Sequence, residues 1–97
     1  MVTLSALRDE KRPEILRLAA RHGAKNLRVF GSVARGEATE SSDLDLLVEW
    51  EPGRSLLDHV RLVQDLEALL NTRVEIGTER SLHRLVRDRI LSEATPL

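Results

Sequence analysis

Apolar residues recur along the chain at two different spacings, and these spacings predict the order of its elements. Between Lys11 and His22 they follow the three-to-four-residue repeat of an amphipathic helix. Pro13 is acceptable near the start of such a helix, and Gly23 is suited to end it. Residues 1–10 are expected to add a short helical turn before the proline. The chain is therefore expected to begin with a helix.

Three later segments have the patterns of short strands. Residues 26–32 alternate apolar and polar positions, residues 43–50 form an apolar run that ends at turn residues, and residues 72–78 are short and alternating. The connection between the first two, residues 33–42, is too short for a full helical crossover, so these strands are expected to be antiparallel. A predicted helix connects the second and third strands, and a connection of that length allows the two strands to be parallel.

Two longer helices are predicted in the second half of the chain. One begins after Ser55 as its N-cap and runs to about Leu70, and the other spans about Ser81 to Glu93. This order of elements is typical of a two-layer α/β (α+β) domain, in which helices pack on a small mixed sheet of about three strands. We expect residues 1–97 to form a single domain.

Composition narrows the classes of function. Fifteen basic and sixteen acidic residues give a net charge of −1, without the basic excess of proteins that bind long nucleic acids. The absence of cysteine excludes disulfide scaffolds, zinc-thiolate sites and thiol nucleophiles. No apolar run has the length of a membrane span, and the first residues lack a signal-peptide core. We expect a cytoplasmic protein without membrane association or direct nucleic-acid binding.

Two aspartates lie inside the apolar run of the second strand. Because side chains alternate between the faces of a strand, Asp43 and Asp45 are expected to share one face. Leu47 and Glu49 belong to that same face, and the opposite face is expected to be buried against helices. Carboxylates whose Cα atoms lie roughly 6.6 Å apart repel each other unless a cation lies between them. Oxygen ligands favour Mg²⁺ or Mn²⁺, so the pattern predicts a divalent metal site.

A Gly-Ser pair, Gly31 and Ser32, follows the apolar residues of the first strand. Glycine lets its backbone approach an anion closely, and Ser32 adds a hydroxyl at the start of a short helical turn whose N–H groups can hold phosphate oxygens. Glu75 in the third strand can reach the same metal and accept a proton if that strand lies beside the second. Each feature alone is common, but the combination indicates attack on a nucleoside triphosphate.

At these residues the chain resembles the nucleotidyltransferase superfamily typified by DNA polymerase β and kanamycin nucleotidyltransferase. The resemblance is carried by "FGSVARGEATESSDLDLLVEW", "VEIGTERSL" and "RDRILSEATPL". It is strongest to the minimal nucleotidyltransferases (MNT), the antitoxin halves of prokaryotic toxin–antitoxin pairs whose toxin is an all-helical HEPN ribonuclease. The resemblance implies the polymerase β-like nucleotidyltransferase fold.

The resemblance also implies roles for the matching residues. Gly31 and Ser32 would bind the triphosphate of ATP. Asp43, Asp45 and Glu75 would bind two Mg²⁺ ions, and Glu75 would also take the position of the catalytic base. The third acid is commonly aspartate in this superfamily, and the glutamate here lengthens the reach by roughly 1.5 Å.

Two further residues are implied on the nucleotide side of the site. Ser42, directly before the first aspartate, would orient the loop. Arg35 would brace the helical turn or contact a phosphate.

The resemblance implies an antitoxin of a type VII-like HEPN/MNT pair, which transfers AMP from ATP to a tyrosine hydroxyl of its cognate toxin and so inactivates it. A partner is also expected because the chain has no second domain to present an acceptor. The helix between Ser55 and Leu70 has two apolar stripes, which fit either a protein interface or a central place in a small core. Two alternatives remain open: an antitoxin that neutralises its toxin by binding alone, and a transferase acting on a small molecule.

Overall fold

The computed structural model describes residues 2–97 as five α-helices and four β-strands. The helices are α1 (Leu4–Ala6), α2 (Arg12–Arg21), α3 (Gly31–Arg35), α4 (Leu56–Leu70) and α5 (Arg84–Glu93). The strands are β1 (Ala24–Phe30), β2 (Leu44–Trp50), β3 (Val74–Gly77) and β4 (Thr95–Pro96). A π-helical turn, Leu7–Lys11, joins α1 to α2, and a 3₁₀ turn, Glu79–Ser81, precedes α5.

The four strands form one mixed sheet in the order β3-β2-β1-β4. β1 runs antiparallel to both β2 and β4, whereas β2 and β3 are parallel. The α/β class and the antiparallel first pair are therefore confirmed, but the prediction of about three strands is one short. The missed strand, β4, is two residues long and includes Pro96, so it has no alternating pattern that a sequence could reveal.

Several boundaries differ from those predicted. The last helix begins at Arg84 and not at Ser81, and the first and third strands have shifted limits. Two differences have a visible cause. The first strand ends at Phe30, because Gly31 adopts a φ of +75° and begins α3. The N-terminal residues form more helix than a short turn, since Leu4 to Arg21 are helical throughout. Pro13 lies two residues after the end of the π-helical turn, and its missing N–H and bulky ring account for the widened helix before it.

One face of the sheet packs against helices α2 and α4 to form the hydrophobic core. The largest fully buried side chains of this core are Leu7, Ile15, Val29, Leu44, Leu46, Val48, Leu62 and Leu66. On β2 they alternate with Asp45 and Glu49, as predicted from the sequence. Leu47 lies on the face of these acids and is nevertheless fully buried. Its neighbour on β1, Arg28, forms an ion pair with Glu79 at 2.6 Å. Side chains therefore also cover this face of the sheet at Leu47, on the C-terminal side of Asp45.

Helix α4 begins as predicted and exposes one of its two apolar stripes. The Ser55 side chain and Asp58 form a capping box, which satisfies the first N–H groups of the helix. Leu62 and Leu66 are buried, whereas Leu56 is 76% exposed and Val60 is 41% exposed. No helix within residues 2–97 combines the length and the hydropathy that crossing a membrane requires.

Candidate active site

The parallel pairing of β2 with β3 brings two carboxyl groups together. Asp45 lies directly opposite Glu75 in the register of the two strands. Both side chains lie on the face of the sheet away from the hydrophobic core, and the two carboxyl groups are close enough to share a hydrogen bond. Two acids that are thirty positions apart in sequence therefore form one polar centre at the edge of the sheet. Asp43, which directly precedes β2, contributes a further negative charge beside Asp45.

The pKa of Asp45 is raised to about 6 by its surroundings. Burial is the largest cause, followed by the charge of Glu75, the hydrogen bond with Glu75 and the charge of Asp43; Arg35 opposes them weakly. A deprotonated Asp45 is therefore unfavourable in the protein alone. A divalent cation between the carboxylates would remove this repulsion, and oxygen donors of this kind are the ligands that Mg²⁺ prefers.

Asp43 is engaged with a cation of the protein itself. The Nε of Arg73 lies 3.2 Å from Oδ1 of Asp43, and its Nη2 donates a hydrogen bond to Oδ2 at 3.3 Å. Residues 2–97 contain no set of three acidic, histidine or cysteine side chains spaced to ligate a metal ion. The Arg73 side chain is 80% exposed, and exposed ion pairs contribute little. Asp43, Asp45 and Glu75 are oxygen donors of the kind that a divalent cation binds, and Asp43 is paired with Arg73 in this structure.

Gly31 places the start of α3 directly against this centre. A Cβ atom at position 31 would collide with the carboxylate of Asp45, and the φ of +75° is one that other residues rarely adopt. Glycine is therefore required here for two separate reasons. The role of Gly31 in the approach of a phosphate stays a prediction; the structure shows that Gly31 makes room for an acid of the site.

Glu93 is the residue of this region that the sequence analysis missed. Its Oε1 accepts a hydrogen bond from the N–H of Gly31 at 2.9 Å, and both of its oxygens accept from Nη1 of Arg35, at 3.2 and 3.1 Å. Burial tends to raise the pKa of Glu93, but the Gly31 N–H and the Arg35 guanidinium together hold it below its usual value. The two ends of the Gly31–Glu93 contact are 62 positions apart, and no spacing in the sequence marks it.

The remaining predicted residues lie around α3 and in the loop that follows it. Ser32 is half-buried, and its side chain makes no hydrogen bond within residues 2–97, which leaves the hydroxyl available to a ligand. The Oγ of Ser42 accepts a hydrogen bond from the N–H of Thr39 at 2.9 Å and so orders the loop before β2. Nε of Arg35 donates to Glu37 at 2.6 Å. The roles of Ser32, Ser42 and Arg35 toward a nucleotide stay predictions.

We expect Asp45 to titrate near pH 6 in the metal-free protein, and the Glu75→Gln substitution to lower that pKa. Glutamine removes the neighbouring charge, but burial remains, so the value should stay above the usual aspartate range. Because the folded pKa is raised, the folded state holds a proton that the unfolded chain has released. Stability is therefore expected to fall as the pH rises from about 4 to about 6.

Titration of the side-chain carboxyl carbons by NMR measures this shift directly. Glu49→Gln, which removes an exposed acid from the same face of β2, is the matched control and should leave the Asp45 titration in place. An Asp45 pKa that does not move in Glu75→Gln would contradict the coupling of the two carboxyl groups.

The sequence also has recognisable relatives. Residues 13–97 match a family model described as "Nucleotidyltransferase domain". Protein adenylyltransferase MntA of Thermococcus cleftensis is 39% identical over 93 residues, which cover 96% of this chain and 94% of that protein. A protein of Methanocaldococcus jannaschii named "Putative protein adenylyltransferase MJ0435" is 46% identical over 86 residues, covering 89% and 92% of the two chains.

Solved structures share the fold. One, described as a "putative minimal nucleotidyltransferase", superposes with a TM-score of 0.84 at 57% identity and covers 99% of this chain and 97% of its own. A crystal structure of a toxin–antitoxin complex with AMP-PNP has a TM-score of 0.73 at 19% identity, over 89% of this chain and 71% of that one. At that identity the second likeness establishes the fold alone.

Proposed function

This chain belongs to the nucleotidyltransferase domain family, and we propose that it is an Mg²⁺-dependent protein adenylyltransferase, the antitoxin of a type VII-like HEPN/MNT toxin–antitoxin pair. It transfers AMP from ATP to a tyrosine hydroxyl of its cognate HEPN ribonuclease toxin and so inactivates that toxin. Residues 1–97 act as one domain, in the cytoplasm, where ATP is available. The observation that carries the proposal is the Asp45–Glu75 carboxyl pair directly beside the Gly31-Ser32 turn.

Each residue of this arrangement has a part in the reaction. Asp43, Asp45 and Glu75 hold Mg²⁺, which when bound neutralises charge on the triphosphate. The Ser32 hydroxyl, free of partners within residues 2–97, orients the triphosphate at the start of α3. Glu75 accepts the proton of the tyrosine hydroxyl. The tyrosine oxygen then bonds to the α-phosphorus, the bond from that phosphorus to the β-phosphate oxygen breaks, and pyrophosphate leaves.

The acceptor comes from another polypeptide, and an open groove along the edge strand β3 suits the binding of such a partner. This groove of about 490 Å³ lies between α4 and β3 and is lined by His59, Val60, Val63, Gln64, Val74, Glu75 and Ile76. It is mainly apolar and reaches Glu75, and the exposed stripe of α4 with Leu56 continues it. A toxin bound along this groove would lie against the edge strand that carries Glu75 and would reach around that edge to the carboxyl group on the opposite face of the sheet. The toxin–antitoxin complexes that share the fold support such a partner.

The test combines the purified protein, Mg²⁺ and α-labelled ATP with the HEPN protein encoded beside its gene. We expect label on the toxin and loss of its ribonuclease activity, with no label when Asp43→Ala replaces the wild type. No transfer by the wild type would contradict the proposal. An Asp43→Ala/Asp45→Ala variant that still protects cells fully would favour neutralisation by binding alone. Labelling of small hydroxylated acceptors in the absence of toxin would favour a small-molecule transferase.

We also expect Arg73→Ala to tighten the binding of Mg²⁺–ATP about two- to fivefold. Arg73 competes with the cation for Asp43, and an exposed ion pair of this kind contributes about 0.2–1 kcal/mol. Isothermal titration calorimetry measures the affinity. Arg80→Ala, which removes another exposed arginine, controls for the change in net charge. An affinity that is unchanged or weaker in Arg73→Ala would contradict the competition.

A further inference from the structure

One side chain holds both ends of the short helix α3. The Oε1 atom of Glu93 accepts the hydrogen bond of the Gly31 N–H at 2.9 Å, where α3 begins. The same carboxylate pairs with Nη1 of Arg35, at 3.1 Å from Oε2, in the last turn of α3. The Glu93 side chain is 17% exposed and the Arg35 side chain 45%, so the contact with Gly31 is the better shielded of the two. A single glutamate therefore spans the whole helix on which the nucleotide is proposed to bind.

Helix α3 is too short to be stable on its own. It has five residues, far fewer than an isolated helix needs in water. Phe30, at its N-cap, provides no side-chain hydrogen bond, whereas the other end is capped by Gly36, whose N–H donates to the carbonyls of Ser32 and Val33. The Val33 side chain is buried in the core. Its geometry must therefore come from tertiary contacts, and Glu93 is the side chain that satisfies its first N–H.

Glu93 is itself fixed by the residues that follow it. Thr95 and Pro96 pair with β1 as strand β4. Arg8 donates hydrogen bonds to Oγ1 of Thr95 at 2.9 Å and to the carbonyl of Pro96 at 2.7 Å. The Nε of Arg12 donates to the carbonyl of Leu97 at 3.0 Å. The N-terminal helices and the sheet thus anchor the backbone next to Glu93, so the carboxylate has a defined place beside α3.

The contacts of Gly31 and Arg35 also limit which groups of α3 are free to bind a triphosphate. The N–H of Gly31 is already occupied by Glu93, and the guanidinium of Arg35 is paired on one side with Glu37 and on the other with Glu93. Arg35 therefore braces the helix, and the phosphate contacts are left to Ser32 and the N–H groups that follow it. Because Gly31 also lies against the Asp45 carboxylate, a shift of Gly31 would move an acid of the site.

Resting on the proposed function, we propose that Glu93 is a positioning residue for ATP, which acts through Gly31 and Arg35 and not by contact with the nucleotide. Removing its carboxylate loosens the start of α3 at Gly31, which must then become ordered when ATP binds. Pre-organisation of this kind lowers the dissociation constant for ATP without any direct contact. The affinity for the toxin, which binds elsewhere, does not depend on it.

The test compares Glu93→Ala, Glu93→Gln and Asp88→Ala with the wild type by calorimetric titration of ATP in Mg²⁺, without toxin and below the melting temperature of each variant. We expect Glu93→Ala to weaken ATP binding at least tenfold and to accelerate hydrogen exchange of the Gly31 amide. Glutamine keeps an oxygen that accepts from Gly31, so Glu93→Gln should bind within about threefold of the wild type. Asp88→Ala removes an exposed carboxylate from the same helix and should change neither readout.

Each outcome bears on one proposal or the other. Wild-type ATP affinity in Glu93→Ala, or a loss in Glu93→Gln as large as in Glu93→Ala, would overturn the positioning role. A wild type that binds ATP but labels no toxin would overturn the proposed function and leave the role of Glu93 intact. A wild type that binds no ATP would overturn both. Weaker toxin binding by Glu93→Ala, in parallel with weaker ATP binding, would indicate general misfolding and overturn the specific role.

Discussion

Asp45→Asn is expected to abolish AMP transfer and, at the same time, to make the protein more stable at neutral pH. In the proposed mechanism Asp45 is one of the metal-binding carboxylates, and its loss removes several kcal/mol of transition-state stabilisation, which at about 1.4 kcal/mol per tenfold corresponds to about a thousandfold in rate. The gain in stability has a separate origin. Burial and the neighbouring carboxylates raise the pKa of Asp45 to about 6, so its charge at pH 7.5 is unfavourable, and asparagine carries none.

Thermal unfolding at two pH values separates these effects. At pH 7.5 the variant should melt above the wild type, and at pH 5, where Asp45 is largely protonated in the folded state, the difference should shrink. Mg²⁺ should raise the melting temperature of the wild type and have little effect on the variant. Glu49→Gln, on the same face of β2, should leave transfer and stability unchanged. A variant that transfers AMP normally and is less stable at pH 7.5 would contradict this account of Asp45.

Gly31→Ala is expected to destabilise the protein more than Gly36→Ala and to abolish ATP binding. Both glycines have nearly the same φ, +75° and +74°, so both substitutions force alanine into the left-handed region at about 1–2 kcal/mol. They differ in space: a Cβ at position 36 meets nothing within 4 Å, whereas one at position 31 collides with the Asp45 carboxylate. Overpacking adds about 1–3 kcal/mol, so Gly31→Ala should cost about 2–5 kcal/mol in all.

Urea unfolding gives the free-energy difference between the two variants, and that difference isolates the collision from the backbone strain. The double variant Gly31→Ala/Asp45→Ala provides a further check when it is compared with both single variants, because Gly31→Ala should cost less stability in the Asp45→Ala background than in the wild type. Gly36→Ala should retain ATP binding. Equal losses of stability in the two single variants, with ATP bound by both, would show that the space beside Asp45 is not restricted.

The position of Glu75 in the site could not be predicted from the sequence alone, because it depends on how the strands pair. The spacing of Asp43 and Asp45 predicts one face because alternation is a local property of a strand. The position of Glu75 depends on whether β3 joins β2 and in which register, and both were left open by the sequence. In the structure β3 is parallel to β2, and its register places Glu75 opposite Asp45. The ion pair of Asp43 with Arg73 is likewise invisible in the sequence, because it forms across two neighbouring strand starts.

Local patterns in the sequence thus determined the order of helices and strands, the α/β class, the Ser55 cap of α4, and the family resemblance carried by the Gly-Ser pair and the acids. These properties depend on residues a few positions apart, where backbone geometry links spacing to direction. Tertiary structure alone decided the fourth strand, the burial of Leu47 on the acid face, and the attachment of Glu93 to α3. Contacts between residues 62 positions apart depend on how the whole chain packs around its core, and no local spacing of residues predicts that packing.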